Sequence, residues 1–149
     1  MIYNNYKKSY ITYINILCFF IIISLIIWII CTQIKDYYNS KDPMLFKLKN
    51  MIIPLHSDIK NVKLYKGKKS YTLNKEKIYL CLYDENNKYY SENLLIYVLL
   101  HEISHYLNKD DIGHTEKFDN IFKDLLHNAG KLGIYNPLIP IDNAYCMHN

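Results

Sequence analysis

Five consecutive residues have the types and spacing of a catalytic zinc site: His101-Glu102-Ile103-Ser104-His105, the H-E-x-x-H pattern. Residues four apart on a helix lie about one turn from each other on one face, so both imidazoles can bind one zinc ion at about 2.0–2.1 Å. Glu102 projects about 100° away from them. Its carboxylate can therefore reach a zinc-bound water and act as the general base, which predicts metal-assisted hydrolysis.

A catalytic zinc usually takes three protein ligands and one water, so the pattern needs a third donor. We predict that this donor is His114. The polar loop from Tyr106 to Gly113 allows the chain to turn back, and His114 directly precedes the next predicted helix. A ligand held between two core-packed helices is well fixed, as a metal site requires. The competing donors are His127, Glu116 and Asp119.

Several other polar residues are candidates for supporting roles. Asp110 and Asp111 could accept a hydrogen bond from the far nitrogen of a ligand histidine, although acidic loop residues are usually solvated. Tyr106 and Tyr145 are candidates for stabilising an oxyanion, but the sixteen tyrosines of the chain leave this choice open. Two histidines outside the periodic core are interpreted as solvated, His56 and His148.

The segments VLLHEISHYL and GHTEKFDNIFKDLL resemble the zinc metallopeptidases of the SprT-like and WLM groups, in which H-E-x-x-H is followed by a loop, a third histidine and an aromatic residue on the next helix. Similar short proteins occur in large DNA viruses, often with a Tyr-Cys pair near the carboxyl terminus, like Tyr145-Cys146 here. The resemblance covers roughly Val62 to Cys146. It implies three zinc ligands and one catalytic carboxylate, namely His101, His105, His114 and Glu102.

The resemblance also implies a minimal gluzincin-like α+β fold, with a small sheet lying over two helices, and a peptidase acting on protein or peptide substrates. In such enzymes an edge strand beside the active-site helix pairs with extended substrate. The run from Lys77 to Tyr83 is the candidate strand, and an ordinary half-buried strand is the alternative.

Two predicted helices carry the candidate ligands. The first is capped by Ser91 and runs to about Leu107, with apolar residues around nearly its whole circumference, which predicts a buried helix at the centre of the domain. The second begins at the cap Thr115 and has apolar residues at spacings of three and four. Gly130 and Gly133 mark its end.

Short β-rich runs lie between Asn61 and Tyr83: VKLY, SYTL and KIYLCLY, separated by turn-forming residues. They predict a small antiparallel meander. Before them, Leu45 to Ile53 is predicted to form a short helix that ends at Pro54. We therefore predict a linker with a short helix over residues 35–57 and the zinc-peptidase-like domain over residues 58–149.

The amino-terminal segment is apolar. No charged residue occurs from Ser9 to Ile34, a stretch long enough to cross the roughly 30 Å hydrocarbon core as a helix. We predict a transmembrane helix over residues 9–34 after a polar tail of residues 1–8. A cleaved signal peptide is the alternative, because Lys7 and Lys8 precede the apolar region; however, the region is long for one, and no small-x-small cleavage site follows it.

The 149 residues leave room for one compact domain beyond this segment, and the net charge of +4 does not indicate a strongly basic nucleic-acid binder. Lysines flanking the apolar stretch favour a cytoplasmic carboxyl-terminal domain. In the folded part only Cys81 with Cys146 could form a disulfide; buried free thiols are the expected state, which fits a reducing compartment.

The leading hypothesis is a membrane-anchored, zinc-dependent metallopeptidase with one zinc ion per chain. One alternative is a catalytically inactive, zinc-stabilised module that tethers partners at a membrane. Another is a nucleic-acid-associated protease, suggested by the seven lysines between Lys60 and Lys77, although a solvated hairpin explains this basic run more simply.

Overall fold

The computed structural model describes residues 2–141 and 145–146. The chain forms two compact units, Met1–Tyr38 and Asn39–Asn149. The elements are α1 (Ile2–Asn39), α2 (Pro43–Ile52), two 3-10 turns (Ile53–Leu55 and Ser57–Asn61), β1 (Lys63–Lys66), β2 (Tyr71–Leu73), β3 (Lys77–Leu80), α3 (Glu92–Leu107) and α4 (Glu116–Lys131). The predicted α+β class is confirmed.

Helix α1 is long and apolar. Its Tyr13–Asn39 part has 27 residues, and the most apolar 18 consecutive residues within it have a mean hydropathy of 3.0 and are not buried within the protein. At 1.5 Å per residue this part is about 40 Å long, which exceeds the roughly 30 Å hydrocarbon core. The predicted apolar helix is confirmed, and it extends beyond residues 9–34 at both ends, from Ile2 to Asn39.

Helix α2 contributes to the core of the second unit. Its apolar face is buried at Leu45, Leu48 and Ile52. The buried Asp42 caps it by accepting a hydrogen bond from Met44 N at 3.0 Å, and the hydroxyls of Tyr83 and Tyr89 donate to the same carboxylate at 2.7 and 3.0 Å. The compact unit therefore begins near Asn39, and the region predicted as linker plus short helix includes part of its core.

The sheet order corrects the predicted meander. Among the described residues three strands form one sheet in the order β1-β3-β2, with β1 parallel and β2 antiparallel to β3. After β1, Gly67 N donates to Leu80 O at 2.8 Å. A Cβ on Gly67 would lie 2.8 Å from Lys69 O and 3.0 Å from the Cβ of Tyr79, so the turn at this approach of the chain to β3 requires glycine. The tight pairing of β1 with β3 leaves β2 at the other side.

The central position of β3 follows from burial. Ile78 and Leu80 in β3 are fully buried, whereas Tyr71 and Leu73 in β2 are exposed. The most apolar strand therefore lies in the middle of the sheet, where both of its sides are paired. The candidate role of Lys77 to Tyr83 as an edge strand is therefore wrong, and the alternative of an ordinary half-buried strand is confirmed for Lys77–Leu80; in the described structure the edge strands are β1 and β2.

Helices α3 and α4 confirm the sequence prediction closely. Ser91 Oγ caps α3 by accepting from Leu94 N at 3.3 Å, and Thr115 Oγ1 caps α4 by accepting from Phe118 N at 3.4 Å. Residues on most sides of α3 are buried, as its apolar circumference predicts. Gly133 follows α4 with a φ of 69°, the left-handed conformation expected where a helix ends at glycine.

A disulfide joins Cys81 to Cys146 over a sequence separation of 65 residues, with a Cα–Cα distance of 6.4 Å. The expectation of two free thiols is therefore wrong. Proximity across 65 residues depends on how the carboxyl-terminal segment returns to the end of β3, which no local pattern encodes. The disulfide also removes the basis for inferring a reducing compartment from the cysteines.

The same segment is held by a ring of hydrogen bonds beside the disulfide. Cys81 N donates to Ser70 Oγ at 3.0 Å, Ser70 Oγ lies 2.6 Å from Tyr145 Oη, and the Tyr145 hydroxyl donates to Cys81 O at 2.7 Å. Burial raises the pKa of Tyr145 to about 12, so the phenol stays protonated and remains a donor. These contacts fix the Tyr145-Cys146 pair against the sheet.

Candidate metal centre

The three predicted ligands lie together. Every ligand nitrogen offered by His101, His105 and His114 lies within 4.8 Å of the others. The Nε2 atoms of His101 and His114 are 3.1 Å apart. Two imidazole nitrogens bound to one tetrahedral zinc ion would be about 3.3–3.4 Å apart, so this pair matches the spacing closely. Three imidazoles with a fourth position left for water form a donor set that fits a catalytic zinc ion.

Different elements place these ligands. His101 and His105 are four residues apart on α3, and their ring centroids are 5.1 Å apart. His114 comes from the loop between α3 and α4, one residue before the cap of α4. The two helix ligands are half-buried and the loop ligand is exposed. The site is therefore open to solvent on the side of His114.

The apolar ring of Phe118 packs against all three imidazole rings. It is only 2% exposed, and its ring centroid lies 5.0, 4.4 and 4.6 Å from those of His101, His105 and His114. Contact with a single rigid ring restricts how far each imidazole can rotate. Sequence analysis did not assign Phe118 a role at the metal; the aromatic residue that the resemblance places on the helix after the third histidine is the signal that points to it.

The environment keeps the helix imidazoles unprotonated. Burial first, and then the neighbouring His105 and His114 rings, lower the pKa of His101 to about 4. Burial first, and then His114 and Lys75, lower the pKa of His105. An unfolded chain binds these protons below about pH 6.5, so the metal-free fold loses stability as the pH falls from there towards 4. At neutral pH the lone pairs are available to a metal.

Glu102 directly follows the ligand His101 on α3 and is buried, with 6% of its surface exposed. Thr72 Oγ1 lies 2.8 Å from Glu102 Oε2 and 2.9 Å from Glu102 O, so one hydroxyl bridges the side chain and main chain of the candidate base. Burial raises the pKa of Glu102, and the bonds from Thr72 oppose that shift. A carboxylate with a raised pKa is a better proton acceptor, as a general base requires.

Sequence analysis did not identify Thr72. Its neighbours Tyr71 and Leu73 point outward on β2, and Thr72 points inward between them. This alternation is the signal for an inward hydroxyl, but Thr72 and Glu102 are 30 residues apart in the chain. Only the folded sheet brings the hydroxyl to Glu102.

The competing donors do not join the cluster. Among the described residues, His127, Glu116 and Asp119 are exposed on α4 and lie outside the group of three histidines that could hold a metal. The hydrogen bonds found for the loop acids do not reach a histidine: Asp110 pairs with Lys117, and Asp111 Oδ2 accepts from Thr115 Oγ1 at 3.2 Å.

The remaining candidates have local roles or lie outside the described residues. His56 is exposed, and its Nδ1 accepts from Asp58 N at 3.2 Å. Tyr106 is buried, with Lys109 Nζ 5.8 Å from its ring centroid. Tyr145 makes the hydrogen bonds beside the disulfide described above. His148 lies outside the described residues.

Comparison with known proteins gives two viral relatives. The chain is 48% identical over 88 residues to Uncharacterized protein 136R of Invertebrate iridescent virus 6, covering 57% of this chain and 49% of the relative. It is 45% identical over 87 residues to Uncharacterized protein 042R of Invertebrate iridescent virus 3, covering 58% of this chain and 54% of the relative. The chain thus spans about half the length of these curated relatives.

No protein-family model matches the sequence, and no solved structure matches the chain. The predicted resemblance to proteins of large DNA viruses is confirmed by the two relatives. The resemblance to SprT-like and WLM metallopeptidases stays a prediction, and its functional content rests on the geometry of the three histidines and Glu102.

Proposed function

We propose that the protein is a zinc-dependent metallopeptidase that is anchored to a membrane by α1 and hydrolyses peptide bonds in protein or peptide substrates. The observation that carries the proposal is the convergence of His101, His105 and His114, together with the burial of Glu102, which directly follows His101 on α3. Structural zinc sites are closed by four protein ligands, whereas three ligands and a nearby carboxylate are typical of hydrolytic sites.

Each residue of the site has a defined task. His101, His105 and His114 would hold the metal, and Phe118 would keep their rings in place. A bound zinc ion supplies an acidified water and polarises the scissile carbonyl. Glu102 accepts the proton of the attacking water and returns it to the leaving amine, while Thr72 keeps the Glu102 carboxylate oriented through the 2.8 Å contact.

The position of β2 suggests how substrate is held. This strand lies at the edge of the sheet, and Thr72 on it contacts Glu102 on α3. An extended peptide that added to the free side of β2 would carry its peptide bonds past the candidate base. We therefore propose β2, and not the central strand β3, as the strand that pairs with substrate.

We propose that α1 lies in a membrane, and we do not assign the second unit to either side of that membrane. The lysines flanking the apolar stretch of α1 favour a cytoplasmic domain. The Cys81–Cys146 disulfide favours an oxidising environment, such as a lumen, a cell surface or a virion surface. Because these observations oppose each other, the proposal includes neither side.

Zinc dependence is the direct test of the function. We expect the purified full-length protein in detergent to contain about one zinc ion per chain and to cleave an unfolded, fluorescently labelled protein. Removal of the metal by phenanthroline should abolish cleavage, and added zinc, but not magnesium, should restore it. A protein without zinc, or cleavage that is insensitive to metal removal, would contradict the proposal.

Replacing Thr72 with valine is expected to reduce kcat by about 10-fold without loss of zinc, because the isosteric side chain removes the hydroxyl that orients Glu102. The measurement is steady-state kinetics on the zinc-loaded variant, with zinc content determined in parallel. Thr72→Ser keeps the hydroxyl and is the matched control, expected to remain near the wild-type rate. Equal rates for valine and wild type would show that Thr72 does not orient the base.

A further inference from the structure

Lys75 makes an unusual set of contacts with the loop that precedes His114. Its Nζ atom donates to three main-chain carbonyls, Asn108 O at 2.7 Å, Lys109 O at 2.6 Å and Asp111 O at 2.8 Å. An ammonium group has three N–H donors, so all of them are used. The contacts join the turn between β2 and β3 to a segment more than 30 residues later in the chain.

The loop between α3 and α4 is held here by contacts from outside the loop. We call the three hydrogen bonds of Lys75 the brace. Helix α3 ends at Leu107 and α4 begins at Glu116, and the segment between them has no regular secondary structure. Its carbonyls include that of Asn108, the residue that ends α3, where the helix dipole places partial negative charge. Three carbonyl dipoles pointing at one place repel each other unless a cation lies between them. The Lys75 ammonium supplies that cation.

The backbone of Lys75 supports the same conclusion. Asn74 and Lys75 have φ values of 50° and 55° in the turn, the left-handed region where glycine and asparagine are favoured. Lysine is a poor choice for such a turn on conformational grounds. An unfavourable backbone conformation costs free energy that other contacts of the structure must offset. The three hydrogen bonds of the Lys75 side chain are contacts of this kind.

We propose that Lys75 is a positioning residue for the metal centre, which holds the Asn108–Asp111 segment so that His114 reaches the two ligands on α3. This inference rests on the proposed zinc site. Gly113, directly before His114, has a φ of 83° and no heavy atom within 4 Å of where a Cβ would lie. The space beside Gly113 is open, and the contacts of Lys75 three to six residues before His114 limit where His114 can lie. Because its donors are all used, Lys75 is not assigned a contact with substrate.

The test compares Lys75→Asn with wild type in the full-length protein. Asparagine suits the left-handed turn but is too short to reach the carbonyls, so the hairpin is preserved while the brace is removed. Lys69→Asn, on the exposed neighbouring loop, is the control for loss of one positive charge. We measure zinc affinity by competition with a chelator, the visible absorption spectrum of the cobalt-substituted site, and hydrogen exchange of residues 108–114.

We expect Lys75→Asn to weaken zinc binding by about 10-fold, to change the cobalt spectrum, and to speed exchange in residues 108–114 while the rest of the domain exchanges as in wild type. Lys69→Asn should behave as wild type in all three measurements. Unchanged affinity, spectrum and exchange in Lys75→Asn would overturn the proposal. If wild type itself binds no zinc, the proposed function fails, and exchange still decides on the brace: faster exchange in the loop supports it, and unchanged exchange overturns it.

Discussion

Replacing His101 with alanine is expected to abolish stoichiometric zinc binding, with a loss of affinity of at least about 100-fold. Zinc binds to sites in small domains with apparent free energies of about 10–16 kcal/mol. Removing one of three protein ligands therefore removes several kcal/mol of the binding free energy. His101 is the ring best placed for this test. It contacts both other ligands and Phe118, and its Nε2 lies 3.1 Å from that of His114.

The matched control is His127→Ala, which removes an exposed imidazole from α4, outside the cluster. Zinc content by atomic emission and affinity by chelator competition should be unchanged in this variant. Circular dichroism of both variants separates loss of metal from loss of fold. A His101→Ala protein that stays folded and still carries one tightly bound zinc would remove the three-histidine site from consideration.

Replacing Glu102 with glutamine is expected to lower kcat/KM by about 100-fold to 10,000-fold while zinc stays bound. This is the rate contribution that a positioned general base typically makes. The amide has the shape of the carboxylate, and its oxygen can still accept the hydrogen bond from Thr72 that the structure shows at 2.8 Å. What the variant lacks is the ability to take a proton from water. The measurement is cleavage of the labelled unfolded protein by zinc-loaded wild type and variant at equal concentration.

Glu116→Gln is the control for this experiment, because Glu116 is an exposed carboxylate in the first turn of α4. It should retain wild-type activity. If Glu102→Gln cleaves as fast as wild type, Glu102 is not the base. If neither protein cleaves any substrate but both bind zinc and His101→Ala unfolds, the protein is better described as a zinc-stabilised module that tethers partners at a membrane.

The helices and the local part of the site could be predicted because they depend on short-range geometry. The spacing of His101 and His105 places both rings on one face of α3 whatever the rest of the fold does. The caps Ser91 and Thr115 act on amides three residues away, and both were found where the sequence predicts them. His114 was also predictable, because a short loop between two packed helices must bring its last residue back towards the first helix.

The sheet shows where local patterns are insufficient. Three short β-rich runs joined by turns are compatible with a meander, and nothing in their alternation excludes it. The observed order depends on which strand buries both faces and both edges best, and that competition involves α3 and α2 as well as the strands. The sequence predicts strands here, but the choice of β3 as the central strand is made by packing of the whole unit.

By itself, the sequence therefore determined the apolar helix α1, the two helices of the candidate site, and the three histidines and one carboxylate on which the proposed chemistry rests. Tertiary structure alone decided the strand order, the Cys81–Cys146 disulfide, and the approach of Thr72 to Glu102 and of Lys75 to the loop before His114. The physical reason is the number of residues that separates the interacting groups along the chain. Helical spacing and capping act within about four residues. In contrast, β1 pairs with residues 14 positions later, and the other contacts join residues 30 to 65 positions apart; all of them form only when the hydrophobic core brings separate elements together.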